Sequence, residues 1–174
     1  RGLERVRSRW AIKIRSDITF DLSKTITCLK KFSKRVMFTE HSLFESKVIA
    51  TALTTLKPDS EGHFFHVCDW IYAGLTVDLQ RIFNADAPNE NFFQFFRNSL
   101  ERPGICSRYR SETYLIYHLV RDELKVEYPY STYYREDLAK LGKDVLDTNF
   151  YIVNHWGLGL RSFKHKHLWK WNQS

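Results

Sequence analysis

The stretch that most constrains the fold is residues 63–83, where apolar side chains recur at i, i+3 and i+4. The members of this stripe are Phe64, Val67, Cys68, Ile71, Leu75, Leu79 and Ile82. Side chains with this spacing share one face of an α-helix, and a helix with such a face is stable only when the face is buried. The pattern predicts a central core helix over residues 63–83.

Helical spacing also predicts most of the remaining elements. One long or two consecutive helices are predicted over residues 3–38, and further helices over 43–56, 107–125 and 131–155. A short helix beginning near Asn91 would carry four phenylalanines. No convincing alternation with a period of two is visible. The predicted fold class is therefore all-α, a single helical bundle with a long central helix pair and shorter flanking helices.

Length and composition predict one domain over residues 1–174. A chain of 174 residues with 43% hydrophobic content can bury a sizeable core. Its first residue is Arg1 rather than Met, which is consistent with a trimmed fragment of a longer chain. No secretory signal and no run of bilayer-spanning length is visible, and Cys28, Cys68 and Cys106 are widely spaced. We expect a cytoplasmic protein with reduced, buried thiols and no membrane association.

The charge of the chain points to an anionic partner. The formal net charge is +7 and the pI is about 9.3. Nucleic acid is the commonest partner of a basic protein, although many basic proteins bind none. His63, His66 and Asp69 have a spacing suitable for a metal on one helix, but polar residues beside a core stripe are the simpler interpretation. We therefore expect no metal site.

The C-terminal segment carries the residues that best suit phosphodiester chemistry. Arg161 precedes His167 by six positions, among several lysines. An arginine fork can hold a phosphate while an imidazole moves a proton near pH 7. His165 competes with His167, because residues four apart on a regular helix face together better. The same segment is equally compatible with a solvated basic tail.

An all-helical domain with an arginine and a histidine so spaced near its C-terminal end resembles the HEPN superfamily of helical ribonucleases. The order of elements resembles its abortive-infection branch, in which a central helix ending like residues 79–86 precedes the motif. The resemblance implies a metal-independent endoribonuclease with no cofactor, acting as a toxin or antiviral defence effector. It also implies RNA as substrate, a homodimer, and an antitoxin or regulatory protein as a further partner.

The resemblance further implies a role for each motif residue. Arg161 would bind the scissile phosphate and His167 would act as general acid or base. Ser162 would support the phosphate, at a place where the family more often has Asn, Asp or His. The remaining residues expected to contact RNA are Lys164, Lys166, Trp169 and Lys170. The alternative is a non-catalytic helical module that binds RNA or another protein.

Overall fold

The computed structural model describes residues 2–34, 36, 38–58, 63–85, 111–126 and 135–162. The strands in this part of the chain are β1 (Trp10–Ile14), β2 (Ile18–Thr19), β3 (Val48–Thr51), β4 (Ile71–Leu75), β5 (Phe150–Val153) and β6 (Arg161–Ser162). The helices are α1 (Leu22–Phe32), α2 (Thr76–Phe83), α3 (Ser111–Leu124) and α4 (Glu136–Asn149), with short 3-10 helices at Leu3–Arg5 and His155–Leu158.

Four of the strands form one mixed sheet in the order β1-β4-β3-β5. β4 is antiparallel to both β1 and β3, whereas β3 and β5 are parallel. Ile49 at the centre of β3 lies between Ala73 of β4 and Tyr151 of β5. β2 and β6 form a separate antiparallel ribbon, with Thr19 opposite Arg161.

The sheet is covered on both faces, because successive side chains of a strand point to opposite sides. Val48, Ala50 and Tyr72 pack against the buried sides of α2, α3 and α4. Ile49 and Ala73 face the other way, into a second core that includes Cys28 of α1. A sheet buried on both faces has strands that are apolar throughout, and every residue of β3 and β4 is indeed buried.

The prediction of an all-α bundle is therefore wrong. Residues 63–83 do not form one helix: residues 63–70 are irregular, and β4 leads directly into α2. The predicted helix over residues 43–56 is β3 with its flanking loops. Both errors have the same cause, because a short apolar run that is buried on all sides fits a strand or a helix equally well.

The other predicted helices are correct in part. Residues 3–38 contain α1 but also β1 and β2, and residues 131–155 contain α4 followed by β5. The helix predicted over residues 107–125 is confirmed where the structure describes it, as α3. The short helix near Asn91 lies outside the described residues, and the single domain stays a prediction. Among the helices that the structure describes, none is long and apolar enough to cross a membrane.

Candidate functional site

The candidate site lies where the parallel strands β3 and β5 end. The two strands are paired from Val48 and Phe150 to Thr51 and Val153. One further hydrogen bond follows, in which the Ala52 amide donates to the Val153 carbonyl at 2.8 Å. Beyond this point the segments that follow β3 and β5 take different paths. At this end of the sheet β1, β3 and β5 finish and β4 begins. We call it the carboxyl edge.

The loops that leave β3 and β5 pass to opposite faces of the sheet. The loop after β3 leads to Phe64, which packs so closely on α4 that a Cβ atom on Gly142 would collide with the Phe64 carbonyl group. The loop after β5 forms the 3-10 helix and packs on α1, where the Asp21 amide donates to the Leu158 carbonyl at 3.0 Å. In open α/β sheets, loops that diverge in this way leave a crevice at the carboxyl ends of the strands, and ligands bind there.

The loop after β3 contains a strained residue. Thr54 has a φ of 61°, in the left-handed region that a β-branched side chain rarely adopts. Hydrogen bonds hold the loop around it: Thr55 Oγ1 donates to the Thr51 carbonyl at 2.6 Å and accepts from the Cys68 amide at 3.0 Å. The Thr54 hydroxyl itself is hydrogen-bonded to the Cys68 thiol. Strain that the surroundings maintain in this way is concentrated at functional sites in proteins.

The loop after β5 contributes three consecutive side chains of different character. Asn154 is exposed, His155 is buried, and the Trp156 side chain is 48% exposed. The His155 and Trp156 rings lie against each other with their centroids 4.0 Å apart. Burial lowers the pKa of His155, so its imidazole is neutral at pH 7. The loop thus combines an exposed amide, an aromatic surface and a neutral imidazole.

Charged residues line the carboxyl edge at the end of β1 and the start of β4. Arg15 contacts Asp17 at 3.0 Å and Asp69 at 3.7 Å, and Lys13 Nζ donates to the Asp69 carbonyl at 2.6 Å. The hydrogen bonds that Arg15 donates to the Asp17 carboxylate raise the pKa of Arg15, whereas burial lowers the pKa of Lys13. From β1 to β5 the edge spans three strand spacings, or about 14 Å, which is room for an extended ligand.

The buried cysteines at this site are not nucleophiles. Burial raises the pKa of Cys68 to about 11, so its thiol stays protonated at neutral pH. Cys28 is also buried, and burial raises its pKa as well. Both are free thiols, as predicted, while Cys106 lies outside the described residues.

Only two of the residues predicted to form a site from the sequence are described. Arg161 is exposed and Ser162 is buried, and both belong to strand β6 rather than to a turn or helix. The rest lie beyond the described part of the chain: Lys164, His165, Lys166, His167, Trp169 and Lys170. The ribbon of β2 and β6 borders the carboxyl edge, since Thr19 opposite Arg161 follows Asp17 by two residues.

The histidines considered as metal ligands do not share a helix. His63 and His66 lie in the irregular segment before β4, with ring centroids 5.9 Å apart. Over the residues with described positions, no three His, Cys, Asp or Glu side chains are grouped so that they could hold a metal ion.

Sequence reasoning missed Thr54, Asn154 and Trp156. The one available signal was the pair of polar residues Thr54 and Thr55 shortly after the apolar run of β3. Positions 154–156 carried no such signal, because they were assigned to the end of a helix.

The comparisons with known proteins give one match. The family described as WavE lipopolysaccharide synthesis matches residues 1–170. No curated protein and no solved structure matches the chain. The resemblance to HEPN ribonucleases is therefore wrong, and with it the prediction of an RNA-cleaving toxin and the alternative of an RNA-binding module. Because the match covers nearly all of its 174 residues, the chain belongs to the WavE lipopolysaccharide synthesis family.

Proposed function

We propose that this protein acts in lipopolysaccharide synthesis by transferring a sugar from a nucleotide-activated donor, and that the donor binds in the crevice at the carboxyl edge. The family supports the process, because lipopolysaccharide is assembled largely from sugars. The single observation that supports the site is the divergence of the loops after β3 and β5 onto opposite faces of the sheet. Nucleotides bind at such points in open α/β sheets.

The side chains around the crevice suit the parts of such a donor. The half-exposed Trp156 ring offers a flat surface for a base or a sugar, and the Asn154 amide can both donate and accept hydrogen bonds. The exposed Arg161 guanidinium supplies fixed positive charge for a diphosphate. Arg161 thus keeps the phosphate-binding role predicted for it, now toward a donor nucleotide and not toward RNA.

The transfer needs a group that takes a proton from the acceptor. The bond from the sugar's anomeric carbon to the phosphate oxygen breaks, the acceptor oxygen forms the new bond, and the nucleotide leaves with the electron pair. The hydroxyl proton of the acceptor goes to a base, and we assign this role to His155, the imidazole between Asn154 and Trp156 in the loop after β5. Nucleotide sugars are cytoplasmic compounds, and we propose that the protein works there, as its free Cys28 and Cys68 suggest.

A binding experiment tests the donor site. The purified protein is titrated with a panel of UDP-, GDP-, ADP- and CMP-sugars in a calorimeter, and the best ligand is then offered to the variants. Trp156→Ala and Asn154→Ala are each expected to weaken binding about tenfold, as the loss of a well-placed ligand contact does. Asn84→Ala makes the same change as Asn154→Ala at an exposed position at the end of α2.

The outcome is decisive for the site. If no member of the panel binds, the donor assignment is wrong. If Asn154→Ala and Asn84→Ala change the affinity equally, a donor binds elsewhere than in the crevice. Transfer of radiolabelled sugar from the bound donor to a truncated lipopolysaccharide then tests the reaction itself.

A further inference from the structure

A cavity lies at the end of the sheet opposite the carboxyl edge, where β1 begins, β4 ends and β3 begins. Its volume is about 760 Å³, within the range of about 300–1,000 Å³ that is usual for small-molecule sites. Its lining includes three aromatic residues, two arginines and polar groups of the segment before β3: Trp10, Phe38, Phe44, Arg9, Arg81, Ser42 and Glu45. We call it the Trp10 cavity.

One wall of the Trp10 cavity is held by buried polar side chains. The Asp78 carboxylate of α2 accepts hydrogen bonds from the Glu45 and Ser46 amides at 2.9 and 3.0 Å. Asn149 at the end of α4 accepts from the Leu43 amide at 2.7 Å and donates to the His41 carbonyl at 2.7 Å.

Asp78 and Asn149 are both 0% exposed. Burial of a polar group is costly unless its hydrogen bonds are made, so the two side chains hold residues 41–46 in one irregular shape. A wall that is held from two helices is preorganised for a ligand.

The other wall is the start of β1, and it is held just as firmly. The Thr76 amide and hydroxyl donate to the carbonyls of Arg9 and Ser8 at 3.0 and 2.6 Å. Trp10, which pairs with Leu75, remains 39% exposed at the cavity. A fixed, partly exposed indole ring presents a flat apolar face, and the C–H faces of sugar rings pack on such surfaces.

Two arginines and two glutamates line the cavity, so an anion would be bound by an unpaired guanidinium and not by net charge. Arg81 is neutralised by Glu123 at 2.6 Å. Arg9 is exposed and has no carboxylate partner within the described ranges, so its guanidinium is available for a phosphate. Glu45 is exposed at the same rim and offers a hydrogen-bond acceptor to sugar hydroxyls.

We propose that the Trp10 cavity is a second binding site, for a phosphorylated saccharide, with Trp10 stacking on a sugar ring and Arg9 binding the phosphate. The identification of that saccharide as part of the lipopolysaccharide acceptor rests on the proposed function. The cavity lies at the end of β1 and β4 opposite the carboxyl edge. It would therefore hold a part of the acceptor that is remote from the hydroxyl group that receives the sugar.

The test measures saccharide binding without any donor present. The ligand is core oligosaccharide released from lipopolysaccharide with its phosphates intact, and a phosphatase-treated sample is the second ligand. Trp10→Ala is expected to weaken binding of both ligands about tenfold, and Trp10→Phe to restore much of it. Arg9→Ala is expected to weaken binding of the phosphorylated ligand alone. Arg7 is exposed and lies outside the cavity, so the Arg7→Ala variant should bind both ligands as the wild type does.

Equal affinity of the wild type and Trp10→Ala would overturn the inference, and so would an effect of Arg9→Ala that is the same for both ligands. Thermal unfolding shows whether the Trp10→Ala variant is folded. If that variant is unfolded, the saccharide affinity of Trp10→Phe is compared with that of the wild type instead. Donor binding is measured separately at the crevice. If the protein binds the saccharide but no nucleotide sugar, the proposed function is refuted and the Trp10 cavity is not. If Trp10→Ala transfers sugar with the same KM for the acceptor as the wild type, only the proposed site in the Trp10 cavity is refuted.

Discussion

Replacement of Asn149 by alanine should remove the buried polar link between α4 and the segment before β3. The Asn149 amide makes three hydrogen bonds: one from the Leu43 amide, one to the His41 carbonyl and one to the Val145 carbonyl. Val145 lies within α4, so only the first two partners belong to another segment. The Leu43 amide is buried and the His41 carbonyl is partly buried, and a group of this kind left without a partner costs about 1–3 kcal/mol. We expect a loss of about 3 kcal/mol from the free energy of unfolding.

The assay is equilibrium unfolding in urea, followed by circular dichroism. For a chain of this size the expected loss corresponds to a fall in Tm of about 6–12 °C. Asn84→Ala removes the same side chain from an exposed position and should change the stability by less than about 0.5 kcal/mol. If Asn149→Ala lowers the free energy of unfolding no more than Asn84→Ala does, Asn149 does not hold residues 41–46 in place. The account of a preorganised wall of the Trp10 cavity would then be wrong.

Asn149→Asp is a sharper variant, because it changes the chemistry and barely changes the volume. Its carboxylate can still accept from the Leu43 amide but cannot donate to the His41 carbonyl. Burial and that carbonyl should raise the pKa of the new carboxyl group. The variant should therefore be destabilised at pH 7 and recover as the pH falls and the group is protonated. Destabilisation that is independent of pH would contradict this account.

Three further predictions concern the carboxyl edge and its supports. Gly142→Ala should lower the free energy of unfolding by about 2 kcal/mol, as measured by urea titration, because the new methyl group collides with the Phe64 backbone. This overpacking cost outweighs the gain in helix propensity. Thr54→Gly should be about 1 kcal/mol more stable than Thr54→Ala, because both lose the hydroxyl but only glycine accepts a φ of 61° without strain. Burial raises the pKa of the Cys68 thiol to about 11 in the folded protein, from the ordinary thiol value of 9.0. Unfolding therefore releases its proton between these values, and wild-type stability should fall with rising pH from about 9 to 11 by roughly 2–3 kcal/mol relative to Cys68→Ala. Parallel pH curves for the two proteins would contradict the burial of this thiol.

The sequence predicted those helices whose evidence is local. α3 was predicted as a helix because its apolar residues follow one face and its hydrogen bonds lie within the segment. α4 was also found, but its predicted end was wrong, because β5 begins directly at Phe150 without a glycine or proline between them. Local patterns do not mark a boundary at which a buried helix passes into a buried strand.

The strands could not be predicted in the same way. β4 pairs with β1 on one side and with β3 on the other, and both partners lie many residues earlier in the chain. The candidate site depends on the same distant pairings, because Thr54 and Asn154 meet at one edge only when β3 and β5 are paired. The resemblance to a helical ribonuclease followed from the wrong fold class, since its motif was placed after a helix where the chain forms strand β6.

The sequence by itself determined the basic charge, the content of apolar side chains, the helical propensity of α3 and the burial of Cys28 and Cys68. The tertiary structure alone decided that residues 71–75 form a strand and that the loops after β3 and β5 pass to opposite faces of the sheet. The physical reason is the range of the interactions. A helix makes its hydrogen bonds within its own segment, whereas a strand makes them with segments that only the folded chain brings beside it.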